Sequence, residues 1–354
     1  MDVVLEVFDT FLFDRMYATV LPVSQSVQSQ YALSQQTPNA TYSSMLETPT
    51  PYNWQYHPAS QMLSFSPSQY AYMSQWPRDS IYRQAVSLFL ITWLFGIVIY
   101  FTCASLSYYF VFDKTAFQHP KFLRNQMSME IKQSISSFPG MALLTVPFFL
   151  AEVRGYSKIY DTTAEGPGMW YNFFQFPLFI CFTDFFIYLI HRGLHHPLVY
   201  KTLHKPHHKW IMPTPYASHA FHPVDGWSQS VPYHVFPFVF PLQKFAYIFL
   251  FVFINIWTVM IHDGEYISQS VVVNGAACHT MHHLYFNYNY GQFTTLWDRL
   301  GGSYRKPNEE LFRRETKMGK AEWDRQKVEM ETIVKEVEGE DDRKYEPVDS
   351  KKEQ

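Results

Sequence analysis

The sequence predicts an all-α integral membrane protein, with roughly four membrane helical segments carrying a histidine-rich domain on their cytosolic side. Three observations carry that reading. Apolar stretches of bilayer length recur along the chain. Charged residues make up only 17% of the 354 residues and aromatic residues 19%, too few charges and too many rings for an ordinary soluble domain. Histidines gather directly behind the apolar stretches: HRGLHHPLVYKTLHKPHHKW, residues 191–210, holds six of them and no carboxylate. The net charge of −3 gives no nucleic-acid reading. Cys103 and Cys181 lie in apolar runs and Cys278 beside histidines. That is no disulfide framework, and it suits a reducing, cytosol-facing setting.

From the N-terminus, residues 22–80 are rich in Ser, Gln, Tyr and Pro with almost no Lys or Arg, a composition that buries too little to fold. With residues 1–21 read as a terminal arm, residues 1–80 form a mostly disordered N-terminal arm. The opening MDVVLEVFDTFLF lacks the basic region of a cleavable signal, so insertion uses an internal segment. Residues 85–112 exceed the roughly 20 residues a helix needs to cross the hydrocarbon core. Residues 135–153, interrupted by Pro and Gly, and residues 169–190 follow. Residues 227–261, broken by Pro232, Pro237, Pro241 and Lys244, read as a helical hairpin that enters and returns on one side. Residues 81–310 thus make the membrane domain, and residues 311–354 a charged, solvated C-terminal tail.

Lys and Arg concentrate on the cytosolic side of membrane proteins. The loop 113–134 carries Lys114, Lys121, Arg124 and Lys132, whereas 154–168 carries only Arg154 and Lys158. The histidine region carries Arg192, Lys201, Lys205 and Lys209. The first loop and the histidines are therefore expected in the cytosol and the N-terminal arm in the lumen, with the sequon Asn39-Ala40-Thr41 on the glycosylating side. The terminal KKEQ resembles a dilysine retrieval signal. The expected location is the endoplasmic reticulum membrane, multi-pass, with the active site facing the cytosol.

His191 and His195 are four residues apart and share a face if the third span continues as a helix. His204, His207 and His208 form H-x-x-H-H, and His279, His282 and His283 repeat it. Positions i, i+3 and i+4 of a helix aim one way. Pro206 is excluded from a helix interior, which puts His204 in the turn that opens a helix there. Taken singly, each histidine is explained as a satisfied core residue. Together, eight imidazoles converge where the hairpin returns the chain. Protonated rings would repel, whereas neutral rings bind metal. Eight ligands exceed what one tetrahedral zinc takes and suit a di-metal domain with open positions, although imidazole accepts zinc, copper, iron and nickel alike.

His262, at the end of the hairpin, is a ninth candidate ligand. His219 and His222 are candidates for ligation, support or substrate contact. Asp184 lies two helical turns before His191, and an acid within a span is costly and a functional candidate. It and Asp298 are the candidate catalytic carboxylates, placed to accept the second N–H of a ligating imidazole.

The segments HRGLHH, LHKPHH and CHTMHHLYFNYNYGQFTTLWDRLGGSYRKP resemble the fatty acid hydroxylase superfamily of membrane di-iron oxygenases. TPYASHAFHPVDG and WTVMIHDGEY bring the resemblance closer to the fungal sterol C-5 desaturases, over about residues 80–310. The resemblance implies that the three boxes bind two Fe ions and use dioxygen. It implies a sterol substrate, a Δ7-sterol of ergosterol-type biosynthesis desaturated at C5–C6, reached through membrane lipid. It also implies electrons from NAD(P)H through a reductase and cytochrome b5, and the chain's lack of flavin, haem or dinucleotide motifs suits such an external donor. A C-4 methyl sterol oxidase or a lipid hydroxylase of the same superfamily is the nearest alternative. A membrane metal-binding protein or transporter is the other, but transporters set ligands near the bilayer midplane, whereas these boxes follow span ends among Lys and Arg.

Overall fold

The computed structural model describes residues 1–25, 54–266, 270–312 and 319–345. Helices α1 (Asp2–Phe8) and α2 (Asp14–Val20), joined by a π-helical turn at Asp9–Phe13, open the chain. Three long helices follow: α3 (Ile81–Phe110), α4 (Gln126–Val153) and α5 (Tyr171–Leu194). All three are long and apolar enough to cross a membrane. Helix α4 starts well before the apolar run expected at 135–153. Its first turns are polar because they face protein: Gln126 Nε2 donates to the Met212 carbonyl at 2.7 Å, and Glu130 accepts from the backbone N–H and the hydroxyl of Thr214.

A strand β1 (Ile159–Tyr160) lies between α4 and α5. Beyond α5 come short turns at Pro197–Val199 and Tyr200–His204, then α6 (Lys205–His208) with Pro206 in its first turn. That is the opening the sequence required of a helix at this proline. Helices α7 (Pro223–Val239) and α8 (Lys244–Met260) form the expected hairpin. Pro232 and Pro237 sit inside α7 without ending it. Between the two helices, β2 (Leu242–Gln243) pairs in parallel with β1. The hairpin tip therefore meets the α4–α5 connection, at the end of the bundle opposite the histidines. Helix α9 (Ala276–Tyr285), α10 (Leu296–Leu300) and α11 (Lys320–Val337) complete the chain.

Two expectations are corrected. The first 80 residues are not mostly a disordered arm where they are described. Leu5, Phe13 and Tyr17 join Leu88, Ile91 and Phe149 in the main core. Arg83 donates to Asp9 and Asp14 at 2.7 Å each, Arg78 holds Asp14 at 2.6 Å, and Lys244 reaches Asp2 at 2.8 Å. Ser60 bonds Asp161. These partners lie far along the chain, so local composition could not reveal them. Asn39, the sequon residue, lies outside the described residues.

The C-terminal segment is not simply a solvated tail either. Met330 and Val334, one turn apart on α11, pack with Tyr200, Leu284, Tyr285 and Phe286. Arg343 donates to both oxygens of Glu338 and to the His208 carbonyl at 3.0 Å. A narrow apolar stripe on a highly charged helix was too sparse to register as a core face. The terminal KKEQ lies outside the described residues.

Candidate metal centre

Local rules place the ligands. His191 lies in the last turn of α5, and His195 is its C-cap residue. His204 precedes Pro206, and His207 and His208 ride on α6. His279, His282 and His283 share one side of α9. His262 follows the end of α8. These four elements converge on two groups. His191, His195, His204, His208 and His282 form one, and His207, His262, His279 and His283 the other. Within each group one nitrogen per residue lies within 4.8 Å of all the others. All nine histidines anticipated from the sequence are thus brought together, His262 included.

The Nε2 atoms face inward. His191 and His204 approach to 3.1 Å, His208 and His282 to 3.0 Å, His279 and His262 to 2.9 Å, and His283 and His279 to 3.1 Å. The outer nitrogens explain the orientation. Nδ1 donates to the Tyr290 carbonyl from His191 (2.9 Å), to Asp225 from His204 (2.8 Å), to the Thr258 carbonyl from His262 (2.7 Å), and to the Tyr288 carbonyl from His282 (2.7 Å). A carbonyl only accepts, so the proton sits on Nδ1 and the lone pair of Nε2 points into the group. Both ring nitrogens of His195 are buried with no hydrogen-bond partner among the described residues. Burial also holds His195, His207, His208, His279, His282 and His283 well below the ordinary imidazole range. Neutral rings with convergent lone pairs are the donor set of a cation site.

Asp184 and Asp298 do not touch these histidines, contrary to expectation. They hold the loop after α9. Asp298 accepts the N–H groups of Tyr290 and Gly291 at 2.8 Å each. Asp184 accepts those of Gln292, Phe293 and Thr294 and the Thr294 hydroxyl. Five successive amides are gripped by two carboxylates, which fixes the carbonyls offered to His191 and His282. Gly291 is required here, because a Cβ would lie 2.4 Å from the Thr294 oxygen. Phe286 adopts φ 57°, a costly conformation for a bulky residue, and its ring stacks on His208 at 4.9 Å.

The carboxylate that does meet an imidazole is Asp225, fully buried, with Gln229 donating to its other oxygen at 2.8 Å. Sequence reading passed over it because an acid in the first turn of α7 looks like ordinary helix-end charge. His219 is buried beside the site, whereas half-buried His222 caps α7 and exposed His196 caps the Pro197–Val199 turn.

A largely apolar cavity lies between α3, α4, α5, α7 and α8, and it nears this centre through Phe221 and Thr258. Phe221, on its wall, lies 4.4 Å from the His207 ring, and Thr258 lines it while holding His262.

Comparison with known proteins adds what geometry alone cannot. The fatty acid hydroxylase family model matches residues 176–303. The Delta(7)-sterol 5(6)-desaturase erg3A of Aspergillus fumigatus is 68% identical, over 98% of this chain and 97% of its own. A probable Delta(7)-sterol 5(6)-desaturase of Neurospora crassa is 65% identical over 99% of both chains. The Delta(7)-sterol 5(6)-desaturase ERG3 of Saccharomyces cerevisiae is 50% identical over 98% of both. No solved structure matches.

Proposed function

This chain belongs to the fatty acid hydroxylase family, and from that premise we propose that it catalyses the 5(6)-desaturation of a Δ7-sterol. The observation that carries the reading is identity of 50–68% over nearly the full length with relatives so named. The enzyme is an oxidoreductase of sterol biosynthesis. Its helices and apolar cavity suit a flat lipid taken from a membrane.

Two metal ions fit the donor set, one held by His191, His195, His204, His208 and His282, the other by His207, His262, His279 and His283. The resemblance of the boxes favours iron. When bound, such a pair supplies the oxidising chemistry that no side-chain acid or base offers at unactivated carbon. In the overall change the sterol gives up two hydrogens. With two electrons and two protons from the donor chain, dioxygen then becomes two waters. Cytochrome b5 and its reductase are the proposed electron source.

The protein's own part is positional. Tyr288, Tyr290, Thr258 and Asp225 hold the imidazoles in one tautomer. The cavity between the helices is the proposed place where the flat ring system is held in one orientation. The Lys and Arg distribution supports a cytosolic site on a multi-pass protein, and the endoplasmic reticulum is the membrane we propose for it.

The sterol profile of cells lacking the gene tests this, with wild type or His282→Ala restored. Accumulation of Δ7-sterols without the 5,7-diene, rescued by wild type alone, is the expected result. Accumulated 4-methyl sterols or an unchanged profile would overturn it.

A further inference from the structure

Resting on that reading, we propose that Asn255, together with His219, reads the sterol's 3-hydroxyl and so orients the substrate with its first ring toward the metal centre. Asn255 is the lone amide in the apolar run FAYIFLFVFINIWTVM of α8, and a polar side chain in such a run is costly unless used. It lines the cavity, as does His219.

Most other polar groups on that wall are already engaged. The hydroxyls of Thr92, Ser230 and Thr258 donate to carbonyls of their own helices, and Gln229 serves Asp225. Asn255 differs. Its Nδ2 donates to the Phe251 carbonyl at 2.7 Å, and its Oδ1 faces His219 Nε2 at 3.4 Å, a long contact. Ser218 Oγ lies 3.0 Å from His219 Nδ1. If Ser218 donates to Nδ1, Nε2–H points at Asn255. Asn255 then keeps one N–H and one lone pair, the complement of a hydroxyl that both accepts and donates.

Substrate chemistry decides which end of the cavity can do this. The hydroxyl-bearing carbon of a sterol is two bonds from C5, so the hydroxyl must stay close to the carbons being desaturated. Asn255 lies one turn before Thr258, whose carbonyl holds His262. His219 lies two residues before Phe221, which packs on His207. Gln292 Nε2 lies 3.4 Å from the Thr258 hydroxyl, and His234, another polar group of the wall, lies toward the hairpin tip among the rings of Phe148, Phe149 and Phe251. It meets the alkyl tail instead.

The test uses detergent-purified full-length protein, measuring equilibrium binding of a Δ7-sterol and of the 3-deoxy hydrocarbon with the same skeleton. Wild type is expected to prefer the hydroxylated compound. Asn255→Leu, of similar volume, is expected to weaken sterol binding about tenfold, the scale of one lost hydrogen bond, and to leave hydrocarbon binding unchanged. Partition into micelles cancels in the ratio between variants. Equal loss for both compounds would assign Asn255 a packing role and overturn the proposal. Wild type with no preference would overturn it without any variant. Formation of the 5,7-diene by wild type is scored separately, so its absence would sink the functional reading, whereas its presence with unselective binding sinks this inference alone.

Discussion

Replacing Asp225 tests whether the outer carboxylate organises the metal centre. His204 Nδ1 lies 2.8 Å from Asp225 Oδ2, and both groups are fully buried. Asp225→Ala strands the imidazole N–H in a site without water access, which typically costs about 1–3 kcal/mol. It also frees the ring to turn its other nitrogen inward. Carboxylates in this role are worth roughly 10–100-fold in metal affinity, about 1.4–2.7 kcal/mol at 1.36 kcal/mol per tenfold, so the two approaches agree. Asp225→Asn keeps an acceptor oxygen for His204 but loses the charge, and Gln229 must turn its amide to avoid a donor–donor contact. We expect about tenfold weaker metal retention for Asn and about 100-fold for Ala. The assay is bound metal in detergent-purified protein dialysed against a graded chelator series, with circular dichroism as a check on folding. Retention by Asp225→Ala within twofold of wild type would refute the reasoning.

Other consequences follow from the same contacts. His282→Ala is expected to abolish turnover while the protein stays resistant to alkaline extraction from membranes; measurable turnover would remove His282 from the essential ligands. Asp184→Asn offers one acceptor oxygen to three N–H groups and a hydroxyl. It should lower activity, but less than loss of His282, and an equal loss would give Asp184 more than a loop-holding role. Arg343→Ala leaves Glu338 buried with Lys205 and the Tyr200 hydroxyl as its partners among the described residues; stranding a buried charge outright costs about 3–5 kcal/mol, so a smaller but measurable fall in melting temperature is expected, and an unchanged one would count against α11 as part of the core. Burial lowers His219 and His262 to about 4. Both lie below the unfolded value near 6.5, so the unfolded chain binds more protons in acid. Stability of the metal-stripped protein is therefore full above about pH 6.5 and lost as pH falls toward 4, and a flat melting curve between pH 7.5 and 4.5 would contradict this.

The sequence carried the boxes with little loss because their geometry is local. Two H-x-x-H-H runs and an i, i+4 pair each bring their rings to the centre within about one turn, but the structure divides both trios: His207 joins His279 and His283, while His204 and His208 join His282. The apolar runs likewise located α3, α4 and α5, since bilayer length is read from composition. The beginning of α4 was hidden because its polar turns are buried against protein, and hydropathy scores the residue instead of its partner.

What the sequence determined by itself was the class of donor, its nitrogen count and the membrane helices that carry it. Tertiary structure decided how nine histidines divide into groups of five and four, since that depends on where α5, α6, α8 and α9 meet. It also decided that Asp225, not Asp184 or Asp298, meets an imidazole, and that the chain ends fold onto the bundle. Each of these rests on hydrogen bonds between residues distant in sequence, such as Asp184 with the amides of 292–294 or Arg83 with Asp9. The strength of such a bond depends on burial and direction, which no local pattern encodes.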